Sequence, residues 1–370
     1  MMTRCACTIL CLALVGAAPA PALAQPPQPP TFVSPEVSPD GKVTFRFWAP
    51  DAKAVRVTAM EGQQPAVMVK DDRGVWSVTV GPLEPEIYSY MYEVDGAPVI
   101  DPRNPDVKVW LTLNSMVLVP GTPPRPHEVQ DVPHGTVVLH TYKSAALGQT
   151  RQLYVYTPPG YSDTSTPLPV VYLKHGFGDG PSAWTAVGQA HVIADNLIAQ
   201  KKIAPMLIVM PWGHVKSPRL VTDRAEFAAN DEGVEKELLQ DIIPFVESHY
   251  RAARSADERA IVGLSMGGGQ SLKTGLGHLD LFHWVGGFSS GTPEGDLDAL
   301  FPGLPDRAAK NLRLLWVGVG KRDFLLQRNE QFHAWLQQKG VAHTWVLSEG
   351  GHEWPIWRKY LAAFLPLLFK

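Results

Sequence analysis

A serine between two glycines is the clearest chemical signal in this sequence. Residues 263–267 read Gly-Leu-Ser-Met-Gly, which matches G-x-S-x-G, the pattern of a serine held in a strained turn between a strand and a helix. An apolar run precedes the turn, and Gly268, Gly269 and a helical run follow it. Glycines suit the flanks because a Cβ there would collide with the neighbouring strand and helix. We therefore interpret Ser265 as a nucleophile.

A serine hydroxyl needs a base to activate it, and the base needs an acid to orient it. In folds that use this turn, the chain order is Ser, then Asp or Glu, then His. Asp323 follows an apolar run that ends at Val319, and His352 follows the next predicted strand through the Glu-Gly-Gly loop at 349–351. We predict that Ser265, Asp323 and His352 form a catalytic triad.

Other acids and histidines fit the two partner roles less well. The rival acids lie in a Pro/Gly-rich stretch rather than at a strand end: Asp296, Asp298 and Asp306. Of the rival bases, His333 falls in a helical pattern and His343 directly before a strand. An alternative for Asp323 is the N-cap of a helix, a position that also favours aspartate.

The tetrahedral intermediate of such a reaction needs two backbone N–H donors. We predict the N–H of Met266, directly after the nucleophile, and that of Phe177, in the glycine-rich loop that follows an early strand. This loop could also bind phosphate, but it lacks the lysine and hydroxyl that end a P-loop. No metal or cofactor is expected, because the histidines nearest this region show no ligand spacing: His175, His191 and His214.

The elements that must position these groups lie between residues 136 and 370. Near-continuous apolar strands alternate there with helical patterns, which predicts an α/β domain with a doubly wound, mostly parallel sheet. The strands are predicted at 153–156, 170–173, 206–210, 260–263, 284–288, 312–319 and 344–347. The helices are predicted at 189–200, at 233–250, after Ser265, at 327–339 and from 354 onward.

Residues 33–119 have a different pattern. Short segments of alternating apolar and polar residues are separated by turn residues, which predicts a small immunoglobulin-like β-sandwich. The clearest segments are 43–48, 54–58, 75–80 and 88–94. Residues 120–135 contain five prolines and read as a linker, and residues 25–32 read as a Pro-rich spacer.

Residues 1–24 predict a cleaved export signal. A short positive start is followed by an apolar run at 9–18 and by Ala-Leu-Ala at 22–24, which places cleavage before Gln25. We therefore expect a secreted or periplasmic protein without membrane attachment after cleavage. The cysteines all fall inside this segment, so the mature chain would hold no thiol: Cys5, Cys7 and Cys11.

The overall composition narrows the class of partner. Of the 370 residues, 45% are hydrophobic and 19% are charged, which is typical of packed domains rather than disorder. The net charge of −3 gives no electrostatic footprint for nucleic acid or an anionic membrane. A neutral or weakly charged partner is the better expectation.

Taken together, these motifs resemble carbohydrate esterase family 1, which contains feruloyl and acetylxylan esterases, and its enterochelin-esterase-like relatives. The resemblance covers most of 135–370 and rests on the motifs at 154–161, 175–178 and 263–268, on Asp323 and on Gly-His-Glu-Trp at 351–354. It implies an α/β-hydrolase fold and the same triad. Residues 33–119 are similar to early-set, family 48 carbohydrate-binding domains through the motifs at 45–50 and 74–76.

The resemblance implies hydrolysis of feruloyl or acetyl esters on plant cell-wall polysaccharide through an acyl-enzyme. Trp212, Trp354 and Phe177 are predicted near the site, where aromatic faces suit a phenolic acid or a sugar ring. Asp231 and Glu232 could contact substrate hydroxyls or simply begin a helix. Exposed aromatics of the N-terminal domain fit glycan binding or a small core: Trp76 and Trp110. Two alternatives are a siderophore esterase and a glycan-binding protein with an inactive hydrolase domain.

Overall fold

The computed structural model describes residues 29–163, 165–293 and 295–370. The predicted export signal at 1–24 therefore lies outside the described residues, as does the start of the spacer. Within the described ranges, no helix combines the length and the apolar character that crossing a bilayer would require.

The N-terminal domain consists of two antiparallel sheets packed face to face. The strands are β1 (Glu36–Val37), β2 (Val43–Trp48), β3 (Val55–Thr58), β4 (Ala66–Val67), β5 (Val69–Lys70), β6 (Val75–Val80), β7 (Glu86–Val94), β8 (Ala97–Val99), β9 (Val107–Val109) and β10 (Leu113–Val119). One sheet has the order β1-β2-β6-β5, and the other has the order β4-β3-β7-β10-β9, with β8 paired to β7. Val43 and Phe45 face the shared core, whereas the alternate residues Thr44 and Arg46 are partly exposed. This alternation is the period of two that the sequence shows.

The second domain is built on an eight-stranded sheet with the order β11-β12-β14-β13-β15-β16-β17-β18. Its strands are β11 (Thr136–Ser144), β12 (Gln149–Thr157), β13 (Val170–Lys174), β14 (Leu207–Pro211), β15 (Arg259–Leu264), β16 (Trp284–Phe288), β17 (Leu314–Gly320) and β18 (Thr344–Ser348). β11 and β12 pair antiparallel with their neighbours, and all later pairings are parallel.

Helices cover both faces of this sheet. They are α1 (Ala183–Ala186), α2 (Ala190–Ala199), α3 (Arg224–Glu237), α4 (Ile243–His249), α5 (Ser265–Gly277), α6 (Leu297–Leu300), α7 (Leu304–Asn311), α8 (Leu326–Gln338) and α9 (Trp354–Phe364). α1, α2 and α9 pack on one face, and α4, α5, α7 and α8 pack on the other. Successive residues of β13 point alternately into these two cores, so the strand is buried on both sides. The predicted fold class is confirmed.

Three local features differ from the sequence expectation. β11 was not predicted; it is an edge strand whose residues are mostly exposed. The helical stretch predicted at 233–250 is two helices, α3 and α4, joined by a π-helical turn at Leu238–Ile242. The segment 120–135 contains no helix or strand, yet it is docked: Asn196 of α2 donates hydrogen bonds to the carbonyls of Pro126 and Glu128.

The two domains share buried contacts. Arg358 of α9 donates from Nε to Glu86 of β7 at 2.9 Å and from its terminal nitrogens to the carbonyls of Ile87 and Val187. Ile87 and Met116 of the N-terminal domain belong to the same hydrophobic cluster as α2 and α9. The chain therefore has a continuous core across its domain boundary.

Candidate active site

Ser265 occupies a sharp turn between β15 and α5. Its φ is +51°, a left-handed conformation that a residue with a side chain seldom adopts and that usually stores strain. The neighbouring glycines are required sterically. A Cβ on Gly263 would lie 2.5 Å from the carbonyl oxygen of Gly267, and a Cβ on Gly267 would lie 2.3 Å from that of His175. The turn is thus in direct backbone contact with the loop after β13.

The structure brings the three predicted triad residues into one hydrogen-bonded line. His352 Nε2 lies 2.9 Å from Ser265 Oγ, and His352 Nδ1 lies 3.0 Å from both carboxylate oxygens of Asp323. Asp323 follows β17 and His352 follows β18, so the loops converge because carboxyl ends of parallel strands share one edge of the sheet. The imidazole can donate to Asp323 while accepting from the serine hydroxyl, which is the geometry of an activated nucleophile.

Asp323 is suited to remain ionised. Its burial by itself would raise the pKa of the carboxyl, but hydrogen bonds from His352 and from the backbone N–H of Leu325 outweigh burial and hold the pKa below its usual value. The residue is 5% exposed. A buried carboxylate that stays charged orients the imidazole and stabilises its protonated form.

Aromatic rings flank the imidazole of His352. The ring of Trp357 meets it edge-on at 5.0 Å, and the ring of Phe324 lies 4.4 Å away on another side. Phe324 is 75% exposed, so an apolar surface borders the histidine at the mouth of the site. Neither ring was singled out from the sequence, although Phe324 directly follows the predicted acid.

The second half of the site is the oxyanion loop, residues 175–180. Two buried histidines link this loop to the segment after β14. His175, in the loop, accepts through Nε2 from the N–H of Gly213 at 2.9 Å, and His214, in that segment, accepts through Nε2 from the N–H of Gly178 at 3.1 Å. Burial lowers the pKa of His175 to about 3 and that of His214 to about 4. Both rings are therefore neutral at neutral pH, which their role as acceptors requires.

Ser265 opens onto a cavity of about 640 Å³, within the usual size range of small-molecule sites. Phe177 and Met266, the predicted oxyanion donors, both line it beside the serine. The ring of Phe177 packs against that of Phe227 from α3 at 5.4 Å, so one wall is aromatic. Phe227 was not predicted, because α3 begins at Arg224, well before the predicted helix start at 233.

The structure corrects the two predicted tryptophan contacts. Trp354 is 2% exposed and packs edge-on against Trp184 and Trp357 in the core. Trp212 lies against the guanidinium of Arg151. Neither lines the cavity, because a position next to a site loop does not determine which way a side chain points.

The acids at 231 and 232 lie in the middle of α3 rather than at its start. Asp231 lines the cavity, and its carboxylate accepts a hydrogen bond from Gln270 at 3.0 Å. Burial raises the pKa of Asp231. Glu232 does not line the cavity. Across the described ranges, no cluster of three or more His, Cys, Asp or Glu residues is placed to hold a metal ion.

An eight-stranded, mostly parallel sheet with a serine–histidine–aspartate line at its carboxyl edge defines the α/β-hydrolase class. Residues 144–368 match the family described as "Putative esterase", and the chain belongs to this family. Residues 33–106 match "Carbohydrate-binding module 48 (Isoamylase N-terminal domain)". These matches confirm the resemblance drawn from the motifs.

Individual proteins of this kind are similar over much of the chain. An endo-1,4-beta-xylanase/feruloyl esterase of Xylanibacter ruminicola is 31% identical over 346 residues, which are 91% of this chain and 46% of that protein. The chain thus spans about half the length of this relative. A ferulic acid esterase structure covers 63% of this chain and 97% of its own at 27% identity and a TM-score of 0.53. The structure of an enterochelin esterase from Shigella flexneri aligns with 90% of this chain and 93% of its own, at 19% identity and a TM-score of 0.63. This is a likeness of fold.

Proposed function

We propose that this chain is an exported serine esterase that releases hydroxycinnamoyl groups, such as feruloyl, from plant cell-wall polysaccharide. The observation that carries the proposal is the hydrogen-bonded line from Ser265 through His352 to Asp323, at the edge of a cavity large enough for an aromatic acid. The family match supports ester hydrolysis, and the xylanase/feruloyl esterase relative supports the acyl group.

The geometry supports a two-step acyl transfer. The hydroxyl of Ser265 attacks the ester carbonyl while His352 Nε2 takes its proton, and the backbone N–H groups of Phe177 and Met266 stabilise the oxyanion. His352 then gives the proton to the departing sugar oxygen, which leaves an acyl-serine. A water molecule, deprotonated by the same imidazole, attacks that ester and frees the acid. Asp323 holds the imidazole in the tautomer that both steps need.

The cavity favours an aromatic acyl group over acetyl. An acetyl group would leave most of the 640 Å³ empty, whereas a phenylpropenoyl group can reach the wall formed by Phe177 and Phe227. The exposed ring of Phe324 lies beside His352, the residue that would protonate the departing sugar oxygen, and an aromatic face suits a sugar ring. Acetyl esters are therefore expected to be poorer substrates.

A siderophore esterase is the second candidate, because the enterochelin esterase fold matches both domains of this chain. Its substrate would also be an aromatic ester. Hydrolysis of feruloylated xylo-oligosaccharide and of a catecholate trilactone by the same preparation separates the two. Preference for the trilactone would replace the polysaccharide proposal.

Removing the nucleophile tests the chemistry. Ser265→Ala is expected to reduce kcat on methyl ferulate by about 10⁴-fold or more while the protein stays folded, since the hydroxyl takes part in both steps. Ser248→Ala, at an exposed serine on α4, is the matched control and should keep full activity. Near-normal turnover by Ser265→Ala would refute the assignment.

Export is tested separately by the site of cleavage. The proposal expects mature protein outside the cytoplasm with Gln25 as its first residue, as read by N-terminal sequencing. Recovery of a chain that keeps Met1 from the cytoplasm of its native host would contradict export and leave the chemistry untouched.

A further inference from the structure

A turn of the N-terminal domain reaches the candidate active site. It is the Trp110 turn, residues 110–112, which connects β9 to β10. The backbone N–H of Trp110 donates to the carbonyl of Thr112 at 3.0 Å, and the pairing of Val109 with Leu113 continues directly from it. The turn is thus a closed, short hairpin connection rather than a loose loop.

The indole of Trp110 makes a hydrogen bond across the domain boundary. Its Nε1–H donates to the carbonyl oxygen of Phe177 in the oxyanion loop at 2.9 Å. The approach is close: a Cβ on Gly178 would lie 2.6 Å from Trp110 Nε1 and 2.9 Å from Cγ of Leu111. Gly178 also has a φ of +82°. Only glycine combines this conformation with the space that the turn occupies.

The turn is held from its other side as well. The guanidinium of Arg219 donates a hydrogen bond to the carbonyl of Leu111. Arg219 shortly precedes Thr222 and Asp223, which line the cavity beside Ser265. The Trp110 turn therefore contacts two separate walls of the site, the oxyanion loop and the segment that leads into α3.

Both ends of one peptide group are fixed by these contacts. Trp110 holds the carbonyl of the peptide between Phe177 and Gly178, and His214 accepts the N–H of the same peptide at 3.1 Å. Holding this plane limits the rotation of the Phe177 backbone about its Cα–C bond. The N–H of Phe177 lies on the adjacent peptide, so the two hydrogen bonds constrain the backbone next to this predicted donor, and Phe177 itself lines the cavity.

From this geometry we propose that Trp110 is a positioning residue for the oxyanion hole, so that the N-terminal domain takes part in catalysis. The inference rests on the proposed serine-esterase function. The indole does not line the cavity beside Ser265; it acts by holding the Phe177 carbonyl. The domain that matches a carbohydrate-binding module thereby supplies a hydrogen bond on which the turnover number depends.

The effect on kinetics follows from when the oxyanion exists. An oxyanion donor stabilises the transition state and not the bound ester, so its misplacement lowers kcat and leaves KM nearly unchanged. Loss of a direct donor typically costs a factor of 10²–10³. Because Trp110 holds a donor and does not replace it, Trp110→Phe should lower kcat by roughly tenfold.

The experiment compares Trp110→Phe with Trp48→Phe in the full chain. Both tryptophans belong to the N-terminal domain and donate from the indole to a backbone carbonyl, Trp48 to that of Arg73 at 3.2 Å. Phenylalanine keeps an aromatic ring and removes the donor. The readouts are kcat and KM on methyl ferulate and the affinities for benzeneboronic acid, which forms a tetrahedral serine adduct, and for free ferulate. Trp110→Phe should weaken the boronate by a factor similar to its loss in kcat and leave ferulate unchanged, whereas Trp48→Phe should match the wild type.

Wild-type kcat in Trp110→Phe would overturn the inference, and so would a change confined to KM, which would make Trp110 a substrate contact. If Trp110→Phe does not fold, Arg219→Gln is the second variant, since Arg219 is exposed and the indole stays in place. It should lower kcat about two- to threefold, and an unchanged kcat would count against the proposal. Activity in Ser265→Ala would instead refute the esterase assignment itself.

Discussion

The two halves of the candidate site are built in different ways. The triad half draws each side chain from the end of its own strand in a single sheet, and its hydrogen bonds stay within the hydrolase domain. The oxyanion half is a loop without regular structure that is anchored by the side chain of its own His175, by His214 and, from the other domain, by Trp110. The sheet fixes the first half, and contacts between distant segments fix the second.

Because of this difference, substitutions in the two halves are expected to change different properties of the protein. In the triad half, a substitution removes a reacting group while its loop remains anchored by the strand. In the oxyanion half, a substitution disturbs the support of a backbone N–H, so its effects on rate are smaller and its effects on stability and pH dependence are larger. The N-terminal domain contacts the oxyanion loop through Trp110, and its Glu86 pairs with Arg358 of α9, the helix that follows His352 in the chain.

The largest effect is expected from the acid of the triad half. Asp323→Asn should lower kcat by about 10³–10⁴-fold, because a neutral amide cannot stabilise the imidazolium and can bind the wrong tautomer. Steady-state kinetics on methyl ferulate measure it, with thermal unfolding to show that the fold is kept. Asp306→Asn, at an exposed acid on α7, is the control and should behave as the wild type. A loss below tenfold would mean that another group orients His352.

A smaller effect, on stability rather than rate, is expected where the N-terminal domain meets α9. Arg358→Met leaves the buried carboxylate of Glu86 without its cation and should reduce the free energy of unfolding by about 3–5 kcal/mol. Urea denaturation measures the loss. Adding Glu86→Gln should recover part of it, since the unpaired charge is then gone. If the double variant is no more stable than the single one, the ion pair is not the cause.

The smallest expected effect is a pH-dependent change in stability caused by a buried acid of the oxyanion loop. Burial raises the pKa of Asp179 to about 7 from an ordinary value of 3.8, and Lys108 opposes this in part. Between those values the folded state binds more protons than the unfolded state, so stability falls as pH rises and the penalty is complete above about pH 7. Asp179→Asn should therefore be more stable than the wild type at pH 8, by on the order of 1–2 kcal/mol, and equal to it near pH 4.

Melting temperatures of Asp179→Asn across this pH range check the prediction. Asp131→Asn, at an exposed acid between the domains, should show no such pH-dependent gain. A gain for Asp179→Asn that is the same at pH 4 and pH 8 would point to packing instead of charge.

The residues of the triad half could be predicted from the sequence more completely than those of the oxyanion half. The G-x-S-x-G turn and the rule that parallel strands end at one edge were enough to select Ser265, Asp323 and His352, and the structure brings these residues together. Most strands of the hydrolase sheet were also predicted within a few residues, because buried parallel strands are nearly continuous apolar runs. β11 was not predicted because it is a mostly exposed edge strand and lacks the long apolar run of the buried strands.

What could not be predicted depends on side-chain direction and on long-range contact. Trp354 was placed near the site correctly along the chain, but its ring points into the core. The sequence offers Trp110 only as an aromatic residue for glycan binding or for a small core. In the structure it is 41% exposed, and its partner Phe177 lies 67 positions away in the other domain. No local pattern encodes that contact, since it depends on how two domains dock.

The cluster shared by the domains determines how this chain could be dissected. Ile87 and Met116 are packed among residues of α2 and α9. Separating residues 33–119 from the hydrolase domain would therefore expose apolar surface on both pieces. Each large side chain returned to water costs about 1.5–3 kcal/mol, and the bared patch would favour self-association. Binding or stability measured on an excised domain would therefore be affected by this newly exposed apolar surface. Glycan affinity of the N-terminal domain is better measured by surface substitutions in the intact protein, which should unfold as one cooperative unit.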